Sequence, residues 1–220
     1  PSYAQQVKQN TLVAGMITNG IWDSLDVFYL HANDANEAFG KINFKNPGTN
    51  DLTELGSVSW TSNQGFVGSG DGTTNYLDTY NPSTFGGKFT LANASVGVWA
   101  YDGTNGSTWV RNSGQTIQIT GGTSLAERLN TNTNIASSIN FGGAGLVTLS
   151  KQGATVSCYK GGSNLGNFTP SVIGSLTNQT VRIFGGGTST DTISATFLGG
   201  SINSKVSTLN TLLSAYMTGL

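Results

Sequence analysis

Short apolar runs separated by turn residues dominate the chain from about Ser57 onward. Clusters of Gly, Asn, Asp or Thr end each run, as is usual at the boundary of a β-strand. The runs are SVSW, GFVG, NYLDT, KFTLA, SVGVWAY, TWVRNS, TIQIT, LVTLSK, TVSCYK, TVRIFG and TISATFLG. About eleven such runs, with no helical pattern alternating between them, predict an all-β domain: an antiparallel two-sheet jelly-roll sandwich.

Alternation within one run assigns its side chains to two faces. In SVGVWAY, Val96, Val98 and Ala100 share one face, while Trp99 and Tyr101 share the other. The aliphatic face suits the interior of a sandwich. We therefore expect the two aromatic side chains to point outward.

A hairpin is predicted from LVTLSKQGATVSCYKGG, with Val147 and Leu149 facing Val156 and Cys158. Cys158 is the only cysteine, so no disulfide can form within the chain. Because Cys158 shares a strand face with Val156, a buried apolar role is favoured over a reactive thiol.

The N-terminal region has helical composition. Residues 3–16, YAQQVKQNTLVAGM, predict a peripheral helix with a ragged apolar stripe, which either straps the domain or connects it to a partner chain. A short helical turn around Trp22 and an apolar strand at 27–30 are expected to follow. Asp34, with Glu37 three residues later, predicts the N-cap of another short helix.

A further helix is predicted at the C-terminal end, where apolar residues recur at helical spacing. They are Val206, Leu209, Leu213, Tyr216 and Met217. Asn203 or Ser204 is the expected N-cap and Gly219 the expected end. We expect this helix to lie across the sandwich and seal an edge. The domain prediction is a helical connector or strap over residues 1–20 and one jelly-roll domain over residues 21–220.

Composition and charge exclude several classes of protein. Hydrophobic residues make up 36% of the chain and charged residues 10%, with a formal net charge of −1. The seven lysines and three arginines are scattered along the sequence, so no basic footprint for nucleic acid is apparent. No apolar run is long enough to span a membrane, and no signal-peptide pattern is apparent.

Five stretches carry a family resemblance. They are GIWDSLDVFYLHANDANEAF, SNQGFVGSGDGTTNYLDTYNPS, NASVGVWAY, VTLSKQGATVSCYKGG and the closing region from VRIFGGG to ISATFLGGSINSKVSTLNTLLSAYM. They resemble the concanavalin A-like (laminin-G-like) jelly-roll domains of bacteriophage virion proteins, especially tail fibres. The resemblance covers about residues 20–220 and implies host-surface recognition or virion decoration, often in an oligomer. It fixes no catalytic or binding residue.

No pair of carboxylates suited to glycoside hydrolysis is apparent in the sequence. That reaction needs two carboxylates across one cleft, whereas the three glutamates lie in distant segments: Glu37, Glu54 and Glu127. The strand motif Glu-x-Asp-x-x-Glu of jelly-roll glucanases is absent. Asp71 and Asp78 flank a loop and are expected to cap turns. We therefore predict a protein that is not an enzyme.

His31 is the only histidine, so a cluster of histidines cannot bind a metal. A Ser-His-Asp triad would have to combine His31 with Asp26, and the sequence has no nucleophile elbow. We expect a structural histidine whose hydrogen bonds are satisfied within the fold.

Calcium is the one cofactor that the sequence allows. Asp71 near Asn75, and Asp102 near Asn105, offer oxygen ligands of the kind that calcium prefers. Neither loop has a calcium-binding signature of fixed spacing. The prediction is therefore no cofactor, with calcium as the alternative.

A candidate ligand site surrounds a polar loop in SVGVWAYDGTNGSTWV. Trp99, Tyr101 and Trp109 offer rings that stack on sugars, and Asp102 and Asn105 offer partners for hydroxyl groups. Alternatively, a terminal helix or the N-terminal segment covers this face, and the aromatic side chains serve packing.

Two functions follow from the residues and the resemblance together. The first is a non-enzymatic phage virion component, a module of a tail fibre or tail-associated assembly that recognises a bacterial surface polysaccharide. The second is a structural decoration or adaptor domain bound to other virion proteins, which bury its outward aromatic side chains. A location in the virion and a homo-oligomer are expected in both.

Overall fold

Two antiparallel sheets make up most of the molecule. The computed structural model describes residues 1–103, 107–122, 127–135, 139–187 and 189–220. Its strands are Leu25–Leu30 (β1), Thr53–Leu55 (β2), Ser59–Thr61 (β3), Gly65–Val67 (β4), Tyr76–Asp78 (β5), Asn93–Ala100 (β6), Thr108–Asn112 (β7), Ile117–Thr120 (β8), Arg128–Leu129 (β9), Gly145–Gln152 (β10), Thr155–Lys160 (β11), Ser163–Phe168 (β12), Val181–Ile183 (β13) and Thr192–Gly199 (β14). Its helices are Tyr3–Thr18 (α1), Glu37–Gly40 (α2), Pro82–Phe85 (α3) and Val206–Thr218 (α4), with 3₁₀ turns at Trp22–Ser24 and Asn203–Lys205.

The strands form an eight-stranded and a six-stranded sheet. The larger sheet has the order β12-β11-β10-β6-β14-β4-β3, and β1 also pairs with β14. The smaller sheet has the order β2-β5-β13-β7-β8-β9. One apolar core contains residues of both sheets, so the predicted two-sheet sandwich is confirmed.

The face assignment along β6 is also confirmed. Val96, Val98 and Ala100 are fully buried in the core between the sheets. From the smaller sheet, Val110 and Ile183 belong to the same core. Apolar residues at every second position of these strands therefore bring the two layers together.

The predicted hairpin is formed by β10 and β11. Leu149 lies directly opposite Cys158, and both are buried in the core with Val147 and Val156. Burial, together with the nearby carboxyl group of Glu127, raises the pKa of the Cys158 thiol to about 12. Cys158 is therefore a buried apolar residue, as predicted, and is protonated at neutral pH.

A second apolar layer lies outside the larger sheet. Its outward side chains pack against α1 and α4, and we call this surface the covered face. The sheet contributes Phe28, Leu30, Leu146, Tyr159, Ala195 and Phe197, and the helices contribute Leu12, Met16, Val206, Leu209, Leu213 and Tyr216. α4 packs on the sandwich as expected, but it covers this outer face and not an edge, because the large outward side chains need cover.

The N-terminal helix buries only the second half of the apolar stripe Tyr3, Val7, Leu12 and Met16 that the sequence suggests. Its buried residues are Gln5, Gln9, Leu12 and Met16. Tyr3 is 82% exposed and Val7 47% exposed. Neither α1 nor any other helix in the described ranges has the length and apolar character needed to cross a membrane.

The predicted cap of α2 is wrong. Asn36, rather than Asp34, caps this helix, and its Oδ1 accepts a hydrogen bond from Phe39 N at 2.9 Å. Asp34 instead accepts a hydrogen bond from Ser2 N at 2.9 Å. The capping-box pattern therefore placed the start of the helix two residues too early.

The expected N-cap of α4 is wrong as well, while its expected end is confirmed. Asn203 and Ser204 lie in a 3₁₀ turn that precedes the helix, and no side chain caps its first residue, Val206. Gly219 is the C-cap residue, as predicted.

Candidate functional site

Trp109 does not face the solvent, so that part of the predicted sugar site is wrong. Its side chain is fully buried in the core between the sheets, and Nε1 donates a hydrogen bond to Asp191 Oδ2 at 2.7 Å. The register of β7 against β8 shifts between Thr108 and Val110. This irregularity breaks the alternation, so Trp109 and its neighbour Val110 both enter the core.

The other predicted residues of that site do not converge on one surface. Trp99 packs in the layer of the covered face, which confirms the alternative that a terminal helix covers it. Tyr101 is 48% exposed, and the Asp102 carboxylate accepts a hydrogen bond from Thr192 N at 2.5 Å. Asn105 lies outside the described residues. A ligand role for Tyr101 and Asp102 stays a prediction.

In the described part of the two candidate calcium loops, Asp71, Asn75 and Asp102 accept hydrogen bonds from within the protein. Asp71 accepts hydrogen bonds from the hydroxyl groups of Thr73 and Thr74, and Asn75 Oδ1 accepts one from Ser57 N. These hydrogen bonds lower the pKa of Asp71. No group of three or more His, Cys, Asp or Glu side chains in the described part of the chain is arranged to hold a metal ion.

The structure brings Glu37 and Glu54 together, which their distance in sequence did not predict. Lys41 Nζ lies 2.6 Å from Glu37 Oε1 and 2.5 Å from Glu54 Oε2. Although Glu54 is partly desolvated, its bonds to Lys41 and to Val58 N lower its pKa. Both carboxylates therefore bind one lysine, and the lowered pKa of Glu54 is the opposite of what a general acid requires.

Glu127 is a separate, fully buried carboxyl group. Thr120 N donates to both of its oxygens at 3.1 Å, and burial raises its pKa well above the usual value. A single buried acid without a second carboxylate across a cleft does not provide the pair that glycoside hydrolysis requires.

His31 has the structural role that the sequence predicts. Its Nδ1 lies 2.8 Å from Gly40 O and its Nε2 lies 3.1 Å from Thr196 Oγ1. The ring is fully buried, and desolvation lowers its pKa to about 4. His31 is therefore neutral at physiological pH and has hydrogen-bond partners at both nitrogens.

A row of polar side chains crosses the outward side of the six-stranded sheet, which we call the open face. The register places Asp78 of β5 opposite Arg182 of β13, and Arg182 opposite Arg111 of β7. Gln118 of β8 lies between Arg111 and Arg128 of β9. All three arginines of the chain thus lie in one cross-strand row. Residues paired in this way point to the same side of a sheet.

Arg182 is neutralised within the row. Its Nε lies 3.0 Å from Asp78 Oδ1, and its guanidinium group lies 4.1 Å from the centre of the Tyr76 ring. Ion pairing and stacking on an aromatic face hold the guanidinium group in one position.

Arg111 has no carboxylate partner among the described residues. Its Nη1 donates to Gly186 O at 2.9 Å. Desolvation and the positive charge of Arg128 lower the pKa of Arg111, but an arginine remains charged under these conditions. The open face therefore carries a half-buried positive charge that the protein does not balance.

Two glycines allow the arginine side chains to lie over the loop that follows β13. A Cβ atom on Gly185 would lie 2.5 Å from Arg182 Cβ, and one on Gly186 would lie 2.6 Å from Arg111 Cζ. The preceding Phe184 is buried with a φ of 64°, which is unfavourable for a bulky residue. Surrounding contacts hold this loop in a strained conformation directly beneath the two guanidinium groups.

A cavity of about 230 Å³ opens between these side chains and the neighbouring loop at 72–73. Its lining consists of Gly72, Thr73, Arg111, Asn112, Ser113, Arg182, Gly185 and Gly186. Ligand pockets typically measure about 300–1,000 Å³. The cavity is therefore suited to one sugar ring or a similar polar group rather than to a large apolar ligand.

A larger cavity of about 720 Å³ lies at 82–92 and 174–176. No charged side chain is among its lining residues. Beneath it, Asp26 accepts hydrogen bonds from Lys88 N, Phe89 N and the Tyr80 hydroxyl group. This buried carboxylate is thus committed to holding the loop at 87–89.

Sequence reasoning missed the arginine row because it treated the basic residues as scattered. Arg111 and Arg182 are distant in sequence, and only the pairing of β7 with β13 brings them together. The one signal in the sequence is the glycine run at 185–187 after Arg182, a composition typical of turns as well as of positions where a side chain packs on the backbone.

Comparisons with known proteins identify the fold. No protein-family model matches the chain, and no curated protein sequence matches it significantly. Among solved structures, the botulinum neurotoxin serotype D binding domain superposes with a TM-score of 0.55 at 12% identity, covering 87% of this chain and 52% of that chain. The serotype D ligand binding domain in complex with N-acetylneuraminic acid superposes with a TM-score of 0.56 at 13% identity, covering 90% and 52%.

A third similar structure is domain 4 of AbnA, a GH43 extracellular arabinanase from Geobacillus stearothermophilus, in complex with arabinotriose. It superposes with a TM-score of 0.50 at 16% identity and covers 85% of this chain and 98% of that chain. The chain spans about half the length of the neurotoxin domains that it matches. At these identities the likeness establishes a shared β-sandwich fold.

Proposed function

We propose that the chain is a non-enzymatic binding module that recognises a surface glycan through the cavity of the open face. The observation that carries this proposal is Arg111, a half-buried cation without a carboxylate partner, held in a cavity lined by Thr73 and Ser113. Fixed polar groups in a small concave site are what a sugar-binding surface requires.

The similar solved structures support a binding role. Two of them are domains in complex with a sugar, N-acetylneuraminic acid in one and arabinotriose in the other. Absence of catalysis is supported by the use of the candidate carboxylates, since Glu37 and Glu54 both bind Lys41.

The proposed setting is a phage virion, in which the module belongs to a tail fibre or a tail-associated assembly and contacts a polysaccharide of the bacterial surface. The sequence resemblance to phage virion domains supports this setting. No cofactor is part of the proposal.

A glycan array tests the function and its location. Ser113 is exposed at the cavity, so Ser113→Trp fills the site without disturbing the core. Thr211→Trp is the matched control, because Thr211 is exposed on α4 on the other side of the sandwich. We expect wild type and Thr211→Trp to bind the same glycans and Ser113→Trp to lose them. Glycan binding that survives Ser113→Trp would place the site elsewhere, and an array without any bound glycan would reject the function.

A structural adaptor role is the second candidate, favoured by the exposed apolar side chains of α1. Tyr3, Val7 and Ile17 are 82%, 47% and 53% exposed. Such side chains on one helix suit contact with another chain, including a second copy in a homo-oligomer. Light scattering over a range of concentrations tests this, since Val7→Glu is expected to abolish an oligomer that this helix forms.

A further inference from the structure

We propose that the open face binds a carboxylate-bearing sugar residue of an acidic glycan, with Arg111 as its main partner and Arg182 beside it. This inference rests on the proposed function and names the ligand class for the same cavity. It follows from the charges at the cavity, from the way the two arginines are held, and from the remaining lining groups.

The charges at the cavity leave one cation for a ligand. The carboxylate of Asp78 binds Arg182. Asp71, beside the cavity loop, accepts hydrogen bonds from Thr73 and Thr74. Arg111 is left with a single hydrogen bond, to Gly186 O, which uses one of its five N–H donors.

Arg111 is also repelled by a neighbouring cation in the absence of a ligand. Arg128 acts on it from one side of the row, whereas Arg182, its directly opposed partner on the other side, is already paired with Asp78. A bound anion at Arg111 would offset the repulsion from Arg128, so the energetic gain is specific to a negatively charged ligand.

The geometry favours a planar anion. Arg182 is fixed by Asp78 and Tyr76, while Arg111 lies over Gly186 with no room for a Cβ atom beneath it. A guanidinium group fixed in this way presents a rigid pair of donors that matches the two oxygens of a carboxylate.

The remaining lining groups favour a sugar over an acidic peptide. The hydroxyl groups of Thr73 and Ser113 donate to Asp71 and to Gln179, so their oxygens remain as acceptors for a ligand. Gly72, Gly185 and Gly186 contribute backbone, and the cavity offers no apolar pocket for a peptide side chain. Hydroxyl groups on a sugar ring match such a lining, whereas peptide recognition usually combines strand pairing with side-chain pockets.

The test uses a printed panel of polygalacturonate, alginate and polysialic acid, each beside its methyl-esterified form, with polyglutamate and neutral polysaccharides as further spots. We expect wild type to bind at least one acidic glycan and not its methyl ester. Arg111→Gln is expected to weaken that binding roughly tenfold to a hundredfold, the value of a charge-assisted hydrogen bond. Lys88→Gln is the matched control, because Lys88 is exposed and the net charge changes equally.

Several results would overturn the inference. These are equal binding to the acid and its methyl ester, binding to polyglutamate as tight as to the glycan, unchanged affinity in Arg111→Gln, or an equal loss in Lys88→Gln. Binding to neutral glycans alone, abolished by Ser113→Trp, would reject the acidic ligand but leave the proposed function standing. Binding to no glycan at all would reject both.

Folding controls keep the test interpretable. Arg111→Lys preserves the charge but not the planar pair of donors, so it is expected to lie between wild type and Arg111→Gln in affinity. A urea unfolding midpoint within error of wild type for all three variants assigns the lost affinity to the side chain and not to the fold.

Discussion

The two outer faces of the sandwich have opposite chemistry. Outside the eight-stranded sheet, Phe28, Leu146 and Phe197 form an apolar surface that α1 and α4 cover. Outside the six-stranded sheet, Arg111 and Arg182 lie side by side and partly exposed. The same alternation of side chains therefore builds a second core on one side of the molecule and leaves a polar surface on the other.

The difference is also energetic. Burying a large apolar side chain contributes about 1.5–3 kcal/mol to stability, and the covered face contains many such side chains. On the open face, the repulsion between Arg128 and Arg111 is a destabilising local contribution. A local cost within a fold that is otherwise consistent is typical of a functional surface. The covered face accordingly stabilises the protein, and the proposed ligand site lies on the open face.

The largest expected effect comes from the covered face. Leu213 of α4 is fully buried, so Leu213→Ala removes apolar contacts and leaves a cavity. We expect a loss of about 2–5 kcal/mol in the free energy of unfolding, measured by urea denaturation. Thr211→Ala, an exposed change on the same helix, is the control and should cost far less. A loss below about 1 kcal/mol in Leu213→Ala would contradict the role given to this layer.

The next prediction concerns the pH dependence of stability that arises from His31, which is buried in the interior and lies on neither outer face. The folded-state pKa of His31 is about 4, below the usual value of 6.5, so the unfolded chain binds more protons between these values. The contribution of His31 to stability is therefore full above pH 6.5 and is lost as the pH falls towards 4. Between pH 7.5 and pH 5 we expect a loss of about 2 kcal/mol that His31→Gln does not show.

The titration of Glu127 changes the stability of the fold with pH in the direction opposite to that of His31. Wild type and His31→Gln are therefore compared at each pH. Its raised pKa stabilises the folded chain at low pH, and that contribution is lost as the pH rises. Urea unfolding midpoints that fall in parallel for wild type and His31→Gln would contradict the assignment to His31. Binding at the open face, which depends on arginines, should not follow this titration.

A smaller effect is expected at the glycine loop beneath the arginines. Gly186 has a φ of +75°, and an added Cβ atom would lie 2.6 Å from Arg111 Cζ. We expect Gly186→Ala to cost about 1–3 kcal/mol and to displace the guanidinium group, so that glycan affinity falls as well. Gly174→Ala is the matched control, since a Cβ atom there meets nothing within 4 Å. Equal unfolding midpoints for the two variants would show that the loop is not constrained.

The smallest expected effect on stability belongs to the open face itself. Arg111 is partly exposed and forms no ion pair within the described ranges, so Arg111→Gln should change the unfolding free energy by at most about 0.5 kcal/mol. Calorimetric unfolding of wild type and variant measures this. A large loss of unfolding free energy would show that Arg111 stabilises the fold. That result would contradict the division of roles between the covered face and the open face.

The sequence predicted which side chains of β6 face the core, but not the chemistry of the two outer faces. Alternation placed Val96 and Val98 inside and Trp99 outside, because every second residue of a regular strand shares a face. Trp109 escaped this rule because an irregularity in β7 turns two consecutive residues inward.

The site escaped prediction for a different reason. Arg111 and Arg182 become neighbours only through the register of β7 and β13, and strand register is a long-range property of the fold. The glycines that follow Arg182 are visible in the sequence. A glycine run, however, is equally typical of a turn and of a place where a side chain packs directly on the backbone. A motif with fixed local spacing can be recognised in a sequence. A row of residues across several strands has no such spacing, so it cannot be recognised in the same way.

The most direct test of the account is an NMR titration of the ¹⁵N-labelled chain with oligogalacturonate, compared with its methyl ester. We predict that amide shifts concentrate in β7, β13 and the loop at 185–187, with little change in α1 and α4, and that the ester leaves them in place. Shifts centred on the larger cavity at 82–92, on Tyr101 and Asp102, or on the groove between α1 and α4 would contradict the account, as would a spectrum that the acidic sugar does not change.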